Sequence, residues 1–112
     1  MPCVDISTNV SLEAVDTDLI FSQTTKAVAS IIGKPETFVM VLLKGSVAIS
    51  FGGNKEPAAF AEVASMGGIN SAVKKQLIAA IGTILQDNLC VPRSRFFLKV
   101  FDTTAGRVPS KI

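Results

Sequence analysis

The sequence predicts an α+β domain in which two pseudo-symmetric βαβ repeats form a mixed four-stranded sheet with two helices on one face. Three observations carry this reading. The segments "GKPETFVMVLLK" and "CVPRSRFFLKVF" share a proline corner, a polar spacer and a β-rich run, with Pro35 and Pro92 at equivalent positions. An apolar stripe at helical spacing precedes each corner, and a β-rich segment precedes each stripe. A parallel crossover through a helix has one preferred hand, which leaves both helices on the same face of the sheet.

The elements follow in chain order. Cys3 to Thr8 alternates apolar and polar residues and predicts a strand. From Asp16 or Thr17, either a competent N-cap, Leu19, Ile20, Ala27, Val28, Ile31 and Ile32 keep helical spacing as far as Gly33, with Pro35 just beyond. Phe38 to Lys44 is a second strand, too apolar to face water on either side. After a Lys44-Gly45-Ser46 turn, Val47 to Phe51 predicts a further short strand. Past the loop "GGNKEPAA" the order returns, with Phe60 to Met66 as a strand and Asn70 as an N-cap. Val73, Leu77, Ala80, Ile81, Ile84 and Leu85 form the second helical stripe, and "RFFLKVF" supplies the last strand. Residues 1–112 make one domain, with 103–112 as a flexible tail.

Composition bounds the function classes. Hydrophobic residues reach 48% and charged residues only 18%, with a mean hydropathy of +0.47. A chain this small and apolar is expected to place surface in an oligomer interface, the helix-free face of its sheet being the natural place. No window of about 18 uncharged apolar residues is present, so a membrane span is not expected. The formal net charge of +2 is spread along the chain without clustered basic and aromatic residues, which argues against nucleic-acid binding. The chain contains no histidine, and Cys3 and Cys90 are too few and too far apart for a disulfide framework or a zinc site. Both are read as buried small hydrophobes. No metal is expected. The N-terminal residues lack the layout of a signal peptide, which predicts synthesis in the cytosol.

Pro2 raises the first chemical question. As a strand-leading proline it needs no function, because the first strand position tolerates a missing N–H. If Met1 is removed, however, Pro2 presents a secondary amine fixed to a rigid strand, a potential general base. Lys34 likewise has two readings, as a cation offsetting the C-terminal dipole of the first helix or as a site residue beside Pro2. "SFGG" and "SMGG" lack the Lys-Ser/Thr of a phosphate loop and are read as turns.

The segments "MPC", "STNV", "IIGKP", "SFGG", "EPAA", "SMGGI" and "SRFFLKVFD", in this order and spacing, resemble the macrophage migration inhibitory factor and D-dopachrome tautomerase family. The likeness is greatest to its plant-type members and runs from Pro2 to about Asp102. The resemblance implies a homotrimer of the tautomerase fold, active sites between neighbouring subunits and no cofactor. It implies Pro2 as the general base that interconverts keto and enol forms of a small acid such as phenylpyruvate. It implies that Lys34 binds the substrate carboxylate and that the backbone at Met66 helps hold the same ligand. An α-amine that serves as a base near neutral pH must be pushed down from its ordinary value, and burial beside the Lys34 ammonium acts in that direction. The same ammonium stabilises an enolate oxygen.

Two positions depart from the family members active on phenylpyruvate. Phe97 stands where they have tyrosine and Lys99 where they have asparagine, so a hydroxyl and an amide are replaced. Lys99 is either an outward-facing strand residue or a second ammonium in the pocket. The family's aromatic tail is replaced by "TTAGRVPSKI". A Cys-x-x-Cys pair found in mammalian members is also missing, since Ala58 and Ala61 occupy those positions, which excludes thiol redox activity there.

The final Ser110-Lys111-Ile112 resembles the peroxisomal address Ser-Lys-Leu, which predicts an import receptor as a partner and a cytoplasmic or peroxisomal location. Two functions therefore stand side by side. One is a tautomerase based on the Pro2 amine. The other is a catalytically impaired, cytokine-like binding protein that acts through a protein receptor.

Overall fold

The computed structural model describes residues 1–106, and the side chains of 1–104. Four strands form one sheet: β1 (Cys3–Thr8), β2 (Met40–Lys44), β3 (Ala59–Ser65) and β4 (Phe96–Asp102). Their spatial order is β2-β1-β3-β4, with β2 parallel to β1, β1 antiparallel to β3, and β3 parallel to β4. The mixed sheet and its two crossover helices, α1 (Thr17–Ile32) and α2 (Ser71–Leu89), match the predicted architecture.

Local chemistry sets the helix ends. Asp16 accepts a hydrogen bond from the Leu19 N–H at 3.1 Å, and Asn70 accepts one from Val73 at 2.8 Å. Gly33 ends α1 in the left-handed region, with φ of 81°. Cys90 does the same for α2, with φ of 57°. At that cap Cys90 is exposed, and Cys3, on the opposite face of β1 from the core residues Val4 and Ile6, is only part-buried, which corrects the reading of both cysteines as core residues. Pro35 and Pro92 then take nearly the same backbone angles, and each leads a short 3-10 turn, Glu36–Phe38 or Arg93–Arg95, into the next strand.

The core lies between the helices and one face of the sheet. Val4, Ile6 and Thr8 of β1 and Ala59, Ala61, Val63 and Ser65 of β3 point into it, against Ile20, Val28, Leu77, Ile81 and Leu85 from the helices. The period-two alternation of a strand makes this face buried and leaves the other open. The open face carries three cross-strand rows: Met40, Cys3, Ala64 and Phe101; Leu42, Asp5, Glu62 and Lys99; Lys44, Ser7, Phe60 and Phe97. Met40, Leu42, Phe60, Phe97 and Phe101 are all exposed in the single chain.

Beyond shifts of one or two residues, which start β2 at Met40 after the 3-10 turn and place β3 at Ala59–Ser65, two segments differ from the sequence reading. Val47 to Phe51 is not a strand within the chain. The Val47 N–H still reaches the Thr8 carbonyl at 3.0 Å, but Ser46 has a φ of 55° and turns the backbone away from β2. Phe51 pairs only with Asn54, across a turn in which Gly52 and Gly53 both have positive φ. Arg95 holds that loop by donating to the carbonyls of Phe51, Glu56 and Pro57, and its guanidinium lies over the Phe51 ring. The second difference is at Thr103–Gly106, which forms one helical turn, α3, where a tail was expected. Asp102 caps it by accepting from the N–H and the hydroxyl of Thr104.

Candidate functional site

Pro2 is fully buried at the lead of β1, while Met1 before it is 68% exposed. Its carbonyl accepts the Met40 N–H at 2.9 Å, which fixes it beside the start of β2. With Met1 attached, the Pro2 nitrogen is an amide without a basic lone pair. Only removal of Met1 creates the amine.

Two loops meet the same end of the sheet. Lys34 is half-buried on the corner after α1, where its own N–H donates to the Ala29 carbonyl at 3.0 Å. The chain runs from there through the 3-10 turn to Met40, beside Pro2. Met66 leaves β3 one residue after Ser65, and Ala64 pairs with Cys3 across the sheet, so the Met66 loop starts at the Pro2 end as well. A Cβ at Gly68 would stand 3.0 Å from the Ile32 carbonyl oxygen and 2.9 Å from Ile32 Cγ2, so the loop lies directly against the end of α1. Pro2, Lys34 and Met66 are thus brought to one corner.

Phe97 and Lys99 are not. Phe97 pairs with Phe60, four positions before the Ala64 that faces Cys3, a separation of about 13 Å along the strand. Its ring stacks on Phe60 with centroids 5.9 Å apart. Lys99 lies in the middle row of the open face, its Nζ 3.8 Å from Glu62 and 5.1 Å from the centre of the Phe101 ring. Asp5 forms a closer ion pair with Lys44, at 3.0 Å. Burial first, and the Asp5 carboxylate second, push the Cys3 thiol above its ordinary value, so Cys3 stays protonated near neutral pH.

The internal repeat explains why the chain has one such corner and not two. Matching Pro35 to Pro92 and Gly33 to Cys90 places Lys34 on Val91 and Pro2 on Ala59. Val91 is fully buried and Ala59 nearly so, and neither has a group that can hold or move a proton. The fold is symmetric, whereas the chemistry is confined to one end. Grooves elsewhere do not involve these residues. One of about 580 Å³ between α1 and α2 is lined by Ala27, Ala80 and Ile84, and one of about 260 Å³ is lined by Ala48, Ile49, Ser50 and Lys55.

Ala58 and Ala61 are buried and carry no thiol chemistry. Among the described residues no helix is long and apolar enough to cross a membrane, and no cluster of three metal-ligating side chains occurs. Ser110, Lys111 and Ile112 lie outside the described residues.

The sequence profile of the macrophage migration inhibitory factor (MIF) family matches residues 1–111. The chain belongs to the MIF family. It is 35% identical over 108 residues to a MIF homolog from Trichuris trichiura, covering 96% of this chain and 94% of that one. It is 30% identical over 108 residues to the MIF of Xenopus laevis, covering 96% and 93%. Among solved structures, the MIF of Trichinella spiralis superposes with a TM-score of 0.85 at 28% identity, covering 97% of this chain and 96% of that one. A MIF homologue from Prochlorococcus marinus superposes with a TM-score of 0.83 at 26% identity, covering 88% and 85%. The sheet order and repeat described above are thus a MIF-family, tautomerase fold.

Proposed function

We propose that the mature protein is a homotrimeric keto–enol tautomerase for a small acid of the phenylpyruvate type, with the Pro2 amine as general base. The observation that carries this reading is the convergence of a buried Pro2, the Lys34 corner and the Met66 loop at one end of the sheet. The amine takes the proton from the enol hydroxyl and returns it to the α-carbon as the ketone forms. Lys34 offers an ammonium to the substrate carboxylate, and the backbone at Met66 steadies the same ligand. The transfer is redox-neutral and needs no cofactor. The exposed apolar rows of the sheet favour packing against further copies. Such packing can bring the Phe97 end of a neighbour to Pro2, which one chain does not do. Pro2→Gly is the experiment that tests this reading, with loss of turnover as the supporting result.

Lys99 decides which acids are accepted. Asparagine there replaces an ammonium by an amide, so Lys99→Asn is expected to raise kcat/KM for phenylpyruvate about 2- to 10-fold, the worth of one neutral hydrogen bond. Steady-state kinetics check this, and an unchanged value places Lys99 outside the pocket.

Phe97 and Lys99 also favour a second reading, a MIF-like binding protein that kept the fold and lost useful turnover while engaging a protein receptor. Unchanged function of Pro2→Gly in every assay supports it. The Ser110-Lys111-Ile112 end supports partial import into peroxisomes from the cytoplasm, and the motifs from Pro2 to Asp102 support a plant-type member. A fluorescent fusion that keeps the natural C-terminus is expected to concentrate in peroxisomes, and one lacking residues 110–112 to stay diffuse. Identical diffuse distributions overturn the targeting.

A further inference from the structure

Asp102 closes β4 opposite Ser65, the last residue of β3, and its carboxylate does more than cap α3. One oxygen, Oδ1, accepts from the Gly67 N–H at 3.2 Å, the Thr104 N–H at 3.0 Å and the Thr104 hydroxyl at 2.7 Å. Around it, Ser65 Oγ donates to the Gly67 carbonyl at 2.9 Å, and Thr103 Oγ1 donates to the Ser65 carbonyl at 3.4 Å. Two of these bonds, from the Gly67 N–H to Asp102 and from Ser65 to the Gly67 carbonyl, hold a loop with little conformational restraint of its own. Gly67 and Gly68 both have positive φ, 80° and 76°, a backbone that two glycines can leave as easily as enter. On its other side the loop rests on Ile32, two residues before Lys34. The Met66–Gly68 backbone is therefore held between the end of α1 on one side and the Asp102 carboxylate and Ser65 hydroxyl on the other.

We infer that Asp102 is a positioning residue for carboxylate binding at the Pro2 corner: it fixes the Met66–Gly68 backbone against the Lys34 corner, and so sets the distance between the two halves of the acid-binding site. This rests on the reading above that Lys34 and the Met66 backbone hold an acidic ligand. Asp102 touches neither Pro2 nor the ligand in this scheme, so its loss moves binding before chemistry. The preference for a charged acceptor follows from geometry, since one oxygen serves three donors. Asparagine keeps an oxygen at the same place without the charge, whereas alanine removes it.

The test is the dissociation constant for phenylacetate, a non-reacting aryl acid, measured by NMR titration on full-length protein freed of Met1. Wild type, Asp102→Ala and Asp102→Asn are compared. Amide exchange at Gly67 is recorded on the same samples, and thermal unfolding confirms that each variant is folded. Loss of a hydrogen bond to a charged group predicts binding weaker by about tenfold or more in Asp102→Ala, with faster Gly67 exchange. Asp102→Asn, which keeps an acceptor without the charge, is expected to recover part of both. Unchanged binding in Asp102→Ala, or equal weakening by both substitutions with no change at Gly67, overturns the positioning role. Wild-type protein that binds phenylacetate yet turns over no phenylpyruvate overturns the catalytic reading and leaves the Asp102 comparison decisive. Wild-type protein that binds no acid overturns both.

Discussion

Pro2→Gly, with Met1 removed, is expected to lower kcat/KM for phenylpyruvate by about 100- to 10,000-fold, the range that a positioned general base contributes. Glycine keeps an amine but loses the ring that fixes its direction at the head of β1. Pro2 is fully buried there and tied to β2 through the Met40 N–H, so the ring has little freedom to lose on binding. Mass measurement must first show that Met1 is gone. A chain with one further residue ahead of Pro2 has an amide at that nitrogen and should show only background turnover, which separates the amine from the ring. The pH profile gives an independent check. Only the unprotonated amine accepts a proton, so kcat/KM falls as pH falls through the amine's pKa. Full activity of Pro2→Gly, or activity in the blocked chain, sinks the amine mechanism.

What the sequence discloses about this molecule depends on how local the cause is. Asp16, Gly33 and Asn70 act on neighbours three or four residues away, and the helices begin and end where their chemistry dictates. Pro35 and Pro92 mark the repeat because each fixes its own φ. Val47 to Phe51 has the composition of a strand, but a strand needs a paired neighbour, and the turn at Ser46 carries the segment off the sheet. No composition reveals that. Cys90 escapes because left-handed caps are normally glycine. The Pro2 corner was legible as a residue set only through the family resemblance. Its division into Pro2, Lys34 and Met66 at one end and Phe97 at the other depends on strand register, which pairs residues more than fifty positions apart. Asp102 left one local sign, a carboxylate directly before Thr103 and Thr104 at the end of a strand, the composition of a side-chain-capped turn. Its bond to Gly67 is non-local and had no such sign.

Ile6→Ala is expected to be the most damaging substitution for stability, and comparison with Leu42→Ala separates the two faces of the sheet. Ile6 has no exposed surface, lies on a central strand, and belongs to the core cluster that includes Ile20, Leu77, Ile81 and Leu85. Truncating a buried isoleucine removes its transfer free energy and leaves a cavity that a sheet held on both sides closes only in part. A loss of about 3 kcal/mol follows. For a chain of this size that lowers Tm by about 10 °C or more, readable by calorimetry. Leu42 is on the opposite face of the edge strand and 40% exposed in the single chain, so its truncation costs the isolated subunit far less. If the open face is covered by other copies, Leu42→Ala instead loosens the assembly, and sedimentation should show dissociation on dilution at concentrations where Ile6→Ala stays associated while folded. Stability of an associating chain rises with protein concentration, so both variants must be compared at one concentration. Equal Tm losses with no change in association would mean that the apolar rows of Met40, Leu42, Phe97 and Phe101 serve the subunit alone. The Phe97 end of a neighbour would then have no route to Pro2, and the proposed pocket would have to be built from a single chain.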